Sequence, residues 1–327
     1  MLQNDPEELQ YCIALTMVPA IGPVIARRLI EKTGSARAVF REDREDLEKI
    51  EGIGPRLSAS IRSSSLFEQA GKELNFLERH RIDALYFRDP GYPRRLKECH
   101  DAPILLYAKG SQGMDPGPCL SVVGTRRASS YGTLLCRELV EGLAGMLPGL
   151  TIVSGLAYGI DAIAHRAALE FGLPTVAVLG HGLDTLYPSS HRDLAKRIIA
   201  GGALVTDFHS GMGPERNNFL RRNRIIAGMA DATLVVESAE QGGALITAGM
   251  AHSYGRDVLA VPGRRIDERS RGCNRLITNQ VAALIESPAD VIRHLNWKVS
   301  GESMIREFPI LKMDPREKQI LDLISQE

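Results

Sequence analysis

Several apolar runs of this sequence end in glycine with arginine close behind, a pairing whose natural chemistry is the binding of anions. The first run continues Leu120-Ser-Val-Val-Gly-Thr-Arg-Arg-Ala-Ser-Ser-Tyr-Gly, which puts Gly124 at the turn and Arg126 just past it. A guanidinium beyond a strand and beside a helix N-terminus makes a two-pronged phosphate fork. A dinucleotide site would show GxGxxG here, but only Gly124 is in place, and the Walker lysine motif is missing. NAD, FAD and P-loop ATP are therefore not expected, and no cofactor is assigned. The second loop is Val153-Ser-Gly-Leu-Ala-Tyr-Gly-Ile-Asp-Ala-Ile-Ala-His. Gly155 and Gly159 allow close backbone approach, and Ser154 with the loop amides offers donors to an anion. Asp161 and His165 stand four apart, a spacing that raises a metal or acid–base pair. Catalytic metal sites usually take three protein ligands, so the preferred reading is a helix-start acid with a nearby partner, and no metal site.

The third loop, Leu179-Gly-His-Gly-Leu-Asp-Thr-Leu-Tyr-Pro-Ser-Ser-His-Arg, adds Arg192 and one aromatic ring, Tyr187. That ring suits either packing or base stacking. The densest charge is Pro214-Glu-Arg-Asn-Asn-Phe-Leu-Arg-Arg-Asn-Arg, where arginines gather at a helix start against the helix dipole. That local cost favours a phosphate track carrying Arg216 and Arg222, with bracing by Arg222 and Arg224 the competing reading. Phe219, Ile226 and Met229 are spaced as a buried stripe. Gly242 and Gly243 mark a further strand-to-helix turn and a backbone anion cradle.

Elements that could hold these loops are visible between them. Apolar runs at 104–108, 120–124, 151–154, 175–179, 203–206, 232–237, 257–261 and 282–285 alternate with amphipathic stretches such as 131–146, 161–171 and 192–200. Unbroken apolar strands imply a sheet buried on both faces, so residues 73–297 read as a doubly wound, mostly parallel α/β domain whose functional loops share one edge. Residues 1–72 read as short helices. Val18-Pro-Ala-Ile-Gly-Pro and Ile50-Glu-Gly-Ile-Gly-Pro repeat one design, a Gly turn followed by a helix opened by proline, as in a helix-hairpin-helix pair. Both DNA contact and plain packing fit that unit. Residues 298–327 read as a linker and the opening helix of a small C-terminal domain.

Lys plus Arg and Asp plus Glu balance at 40 each in 327 residues, so any nucleic-acid site must be a local patch. Aromatic residues make up only 5%, which favours phosphate contacts over stacking. Five scattered cysteines without a CxxC pair argue for reduced thiols in the cytoplasm. No apolar run approaches a membrane span, and the N-terminus does not resemble a signal peptide.

In order along the chain, VVGTR (122–126), SGLAYGID (154–161), LGHGLDTLYP (179–188), RRNRIIAG (221–228), GGALITA (242–248) and VPG (261–263) resemble the signature loops of the DNA-processing protein A (DprA/Smf) family. The resemblance implies an extended Rossmann-like domain that binds single-stranded DNA, a SAM-like helical unit ahead of it and a winged-helix-like one after it. It also implies a homodimer that protects incoming DNA in natural transformation and helps load the RecA recombinase, with no enzymatic activity. The family's phosphate-binding arginine falls on Arg126, its glycine loop on Ser154, Gly155 and Gly159, and a basic residue before the RNR helix on Arg216. Two departures stand out. Ser189 and Ser190 replace a lysine common in relatives, a role that Arg192 is expected to take, and Leu220 replaces a proline. A related hydrolase family needs a glutamate after its double glycine; here Ala244-Leu-Ile-Thr follows, which weighs against hydrolysis.

Overall fold

In a computed structural model, residues 5–61, 65–110, 114 and 117–299 are described. The expected C-terminal helix lies outside them. The described residues up to Trp297 fall into one compact unit.

The chain opens with helices α1 (Pro6–Met17), α2 (Pro23–Thr33), α3 (Ala36–Arg41), α4 (Arg44–Glu48), α5 (Pro55–Ile61) and α6 (Ser65–His80). The repeated Gly-Pro turns fold alike. Ile21 N donates to Val18 O and Ile53 N to Ile50 O, at 3.2 and 3.0 Å. Gly22 O and Gly54 O then accept the first helical bonds of α2 and α5. Proline at the first turn lacks an N–H that would have had no partner there. Ile13, Leu15 and Ala70 of these helices share one buried cluster with Leu106 and Tyr107 of the sheet, so the helical unit is seated on the sheet itself. Helix α6 runs across residues 72 and 73, where the sequence marks a boundary.

There follow β1 (Asp83–Tyr86), α7 (Arg94–Lys97), β2 (Leu105–Lys109), β3 (Cys119–Val123), α8 (Ser130–Met146), β4 (Thr151–Ser154), α9 (Ile160–Glu170) and β5 (Thr175–Val178). The remainder is α10 (Arg192–Gly201), β6 (Gly202–Thr206), α11 (Arg216–Gly228), β7 (Ala232–Val235), α12 (Gly243–Ser253), β8 (Asp257–Ala260), α13 (Arg271–Thr278), β9 (Ala283–Leu284) and α14 (Pro288–His294). Every residue of β3 to β7 is buried, as unbroken apolar strands require when helices cover both faces.

The sheet order is β1-β2-β6-β5-β4-β3-β7-β8-β9. From β6 to β9 the strands are parallel, whereas β1 and β2 join antiparallel at one edge. The mixed α/β fold with a mostly parallel sheet is thus the one expected. Chain order reverses between β3 and β7, where a Rossmann-like sheet opens its ligand crevice beyond the carboxyl ends of the strands. No helix among the described residues is long and apolar enough to cross a membrane.

Candidate nucleic-acid interface

The crevice at the reversal point is already filled. Glu237, just past β7, is buried, and its carboxylate accepts a bond from Ser129 N at 2.9 Å and another from the Ser129 hydroxyl. The same hydroxyl caps α8 by accepting from Gly132 N at 3.0 Å. Backbone N–H groups at this helix start would hold a pyrophosphate in a dinucleotide fold, and here the Glu237 carboxylate takes Ser129 N and the Ser129 hydroxyl takes Gly132 N. Glu237 also pins the neighbouring loop, because its carbonyl accepts from Thr125 N at 2.8 Å.

Helix α9 is treated in the same way. Asp161, buried in its first turn, accepts from Ala157 N at 3.4 Å. Burial pushes the Asp161 carboxyl pKa up, and the nearby Arg222 guanidinium opposes that shift. His165 turns elsewhere. The Thr175 hydroxyl donates to Ile152 O at 2.8 Å, so it must accept from His165 Nδ1–H at 2.7 Å. Desolvation pushes the His165 pKa down to about 3 and keeps the ring neutral. Asp161 and His165 therefore form no acid–base pair, and no cluster of metal-binding side chains exists among the described residues.

Several of the candidate contacts have structural partners within the protein. Arg222 is 3% exposed, and its guanidinium donates to Gly155 O at 2.7 Å and to Val178 O, bracing the ends of β4 and β5 against α11. Burial and the charge of Arg126 lower its pKa to about 10, against a rise from Asp161. A Cβ on Gly155 would lie 2.3 Å from that guanidinium, so the glycine makes room for Arg222 and not for a ligand. The Ser154 hydroxyl is buried and donates to Val122 O at 2.6 Å. Gly159 has φ of +74° and packs on the Thr125 carbonyl, 2.1 Å from where a Cβ would sit. Gly124 packs likewise against Ile160. At the α12 start the Gly242 amide is spent on Ala239 O at 3.0 Å, while Gly243 faces open space.

Arg126 is exposed, as expected of a contact residue. With Arg127, Thr133, Tyr158, Ile163 and Arg166 it lines an open groove of about 590 Å³. A narrow inner corner joins Arg126 to Tyr158, Tyr187 and Phe219. Tyr158 is 46% and Tyr187 43% exposed, the Tyr187 and Phe219 ring centres lie 5.6 Å apart, and the Arg126 guanidinium stands 5.6 Å from the Phe219 ring. Phe219 is thus a groove wall rather than part of a buried stripe, and a chain poor in aromatics gathers three of them here.

The loop after β5 sets these rings. His181 accepts from Tyr187 N at 3.2 Å and donates to Gly182 O at 2.9 Å, fixing where Tyr187 stands. His191 packs edge-on against Tyr158 at 5.1 Å, and Ser190 Oγ donates to the Tyr158 hydroxyl at 3.3 Å. Arg192 and Arg216 are exposed at the starts of α10 and α11 but do not line the groove. Sequence reasoning passed over Tyr158 and Arg166 and assigned Phe219 to packing. Tyr158 carries a signal in retrospect, since it is a large ring between Gly155 and Gly159.

Among the described residues, Arg126, Arg127, Arg166, Arg192 and Arg216 make no ion pair with a carboxylate. Many arginines elsewhere are paired, as Arg224 is with Asp207 and Arg137 with Glu170. A molecule of zero net charge therefore keeps arginines without carboxylate partners beyond its strand ends.

A Rossmann-like sheet with its reversal crevice closed and an arginine-aromatic groove beside it, preceded by a helix-hairpin-helix tandem, defines the class. The family model described as DNA recombination-mediator protein A matches residues 83–296, and one described as a SAM-like helix-hairpin-helix tandem matches residues 13–64. The chain belongs to the DNA-processing protein A (DprA/Smf) family. It is 37% identical over 289 residues to Protein Smf of Synechocystis sp., covering 85% of this chain and 70% of that one. It is 41% identical over 209 residues to DNA processing protein DprA of Streptococcus pneumoniae, covering 64% and 73%. The X-ray structure of DprA from Streptococcus pneumoniae superposes with a TM-score of 0.69 at 32% identity, over 86% of this chain and 95% of that one. A DNA processing protein A structure from Helicobacter pylori, whose description concerns its single-stranded DNA binding mode, matches with a TM-score of 0.59 at 26% identity, over 66% and 96%.

Proposed function

We propose that this protein binds single-stranded DNA along the arginine-aromatic groove and acts in recombination without catalysing a reaction. The observation that carries this reading is the interleaving of three unpaired, exposed arginines, Arg126, Arg127 and Arg166, with the half-exposed rings of Tyr158 and Tyr187. Guanidinium groups take phosphates and rings take unstacked bases, and stacking of that kind contributes about 1–3 kcal/mol per base without regard to sequence. A duplex keeps its bases stacked inside, so it offers the groove phosphates alone. The Asp161 carboxylate and the His165 imidazole, which would suggest chemistry in isolation, are spent on the fold. Arg192 and Arg216 extend the track from the starts of α10 and α11. As family membership suggests, the bound strand passes to the RecA recombinase, from a cytoplasmic homodimer serving natural transformation.

Fluorescence anisotropy with an unstructured oligonucleotide and a hairpin-capped duplex of equal length, over a salt series, tests the binding. The single strand should bind at least tenfold tighter at every salt concentration. Equal affinity for the capped duplex would overturn the reading.

A further inference from the structure

The loop between β8 and α13 carries a second concentration of charge. Arg264, Arg265 and Arg269 in the loop, and Arg271 opening α13, are all exposed. None makes an ion pair with a carboxylate among the described residues, although Asp267 and Glu268 lie in the same loop. The base of the loop is fixed. Gly263 and Asn274 exchange two hydrogen bonds, at 3.1 and 2.9 Å, and a Cβ on Gly263 would lie 2.1 Å from the Ser270 hydroxyl. Arg269 O accepts from Ser238 N at 2.7 Å, tying the loop to the one after β7. The backbone holds its shape while the guanidinium groups stand in water, where each loses little by exchanging hydration for a phosphate.

The sheet places this loop in line with the groove. β3, which leads to Arg126, and β8 are separated only by β7. Two strand spacings amount to roughly 10 Å. Tyr131, 50% exposed in the first turn of α8, spans the gap, and its hydroxyl donates to Pro262 O at 3.4 Å. With the intervening crevice filled by Glu237, a strand leaving Arg126 and Arg127 meets an aromatic ring and then four unpaired arginines.

We infer that the β8–α13 loop is a second phosphate-binding segment, which takes the same single strand onward from the groove across Tyr131. This rests on the single-strand reading above and lengthens the footprint that reading assigns.

The test compares wild type with the combined variant Arg264→Ala, Arg265→Ala and Arg269→Ala, using labelled oligothymidylates of graded length. Wild-type affinity should rise with length until both segments are covered. The variant should match wild type within about twofold on the shortest oligonucleotides that bind, and fall at least tenfold behind on the longest. On those its log-affinity against log-salt slope should be shallower by about 2, since each single-strand phosphate contact contributes about 0.7. Lysine at all three positions should restore most of the loss. An unchanged length dependence, or an equal loss at every length, overturns the second segment while leaving the groove intact. A loss accompanied by altered mass in light scattering also overturns it, because the loop would then serve association between copies. If wild type binds no oligothymidylate at any length, the single-strand reading falls and this inference falls with it.

Discussion

A guanidinium withdrawn from water costs several kcal/mol unless carbonyls and carboxylates replace its hydration. Arg222 meets that condition through Gly155 O, Val178 O and the charge of Asp161, whereas Arg126 keeps its water. Opposite phenotypes follow. Arg222→Ala leaves Asp161 buried without its countercharge and should lower urea-unfolding stability by about 3 kcal/mol or more. Arg126→Ala should leave stability unchanged and flatten the salt slope of single-strand binding by about 0.7. The sequence offered both arginines as contacts because residue type and spacing do not reveal depth. His165 makes a third case. Its folded pKa of about 3 lies below the ordinary 6.5, so between those values the unfolded chain binds a proton that the folded protein refuses. Stability should therefore fall as pH drops from 6.5 towards 3, by up to about 1.4 kcal/mol per pH unit from this group. Denaturant midpoints between pH 5 and 6.5, above most carboxylate titration, should show a gentler slope for His165→Asn than for wild type.

Among the elements, the loop between β6 and α11 is tied to α6 by the side chain of Glu73. Glu73 on α6 is 4% exposed, and its two oxygens accept from Ser210 N at 3.0 Å each, with a further bond from the Ser210 hydroxyl. That loop delivers Arg216. Glu73→Ala should cost about 1–3 kcal/mol for the donors left unsatisfied, and it should quicken amide exchange in residues 208–215 without doing so at the Arg126 loop. A single-strand affinity reduced less than by Arg216→Ala would fit a positioning role. Strand positions from 104 onward were legible within a residue or two because burial on both faces leaves unbroken apolar runs. The antiparallel edge formed by β1 and β2 was not, since an apolar run carries no sign of its direction. Nor could periodicity disclose that Tyr158 and Tyr187, from two separate loops, meet Phe219 of α11 in one corner. The basic loop at 264–271 was also overlooked, because Asp267 and Glu268 interrupt its charge along the chain.

At the scale of the whole molecule, zero net charge and the proposed polyanion-binding face are reconciled by where ion pairs form. Arg27 with Glu31, Arg44 with Glu48 and Arg137 with Glu170 neutralise helix surfaces, and the arginines beyond the strand ends are left over. The carboxylate of Glu237 in the reversal crevice and that of Asp161 at the start of α9 have a further consequence. With those two sockets occupied from within, neither of these helix starts is open to a lone phosphate, and under the proposed function each exposed arginine should hold a phosphate only weakly by itself. Retention then depends on tethering, since a polymer held at one arginine presents its next phosphate to a neighbour at high local concentration. Small nucleotides gain nothing from this, so under the proposed function a cell's abundant free nucleotides should leave the groove vacant for polymeric strands.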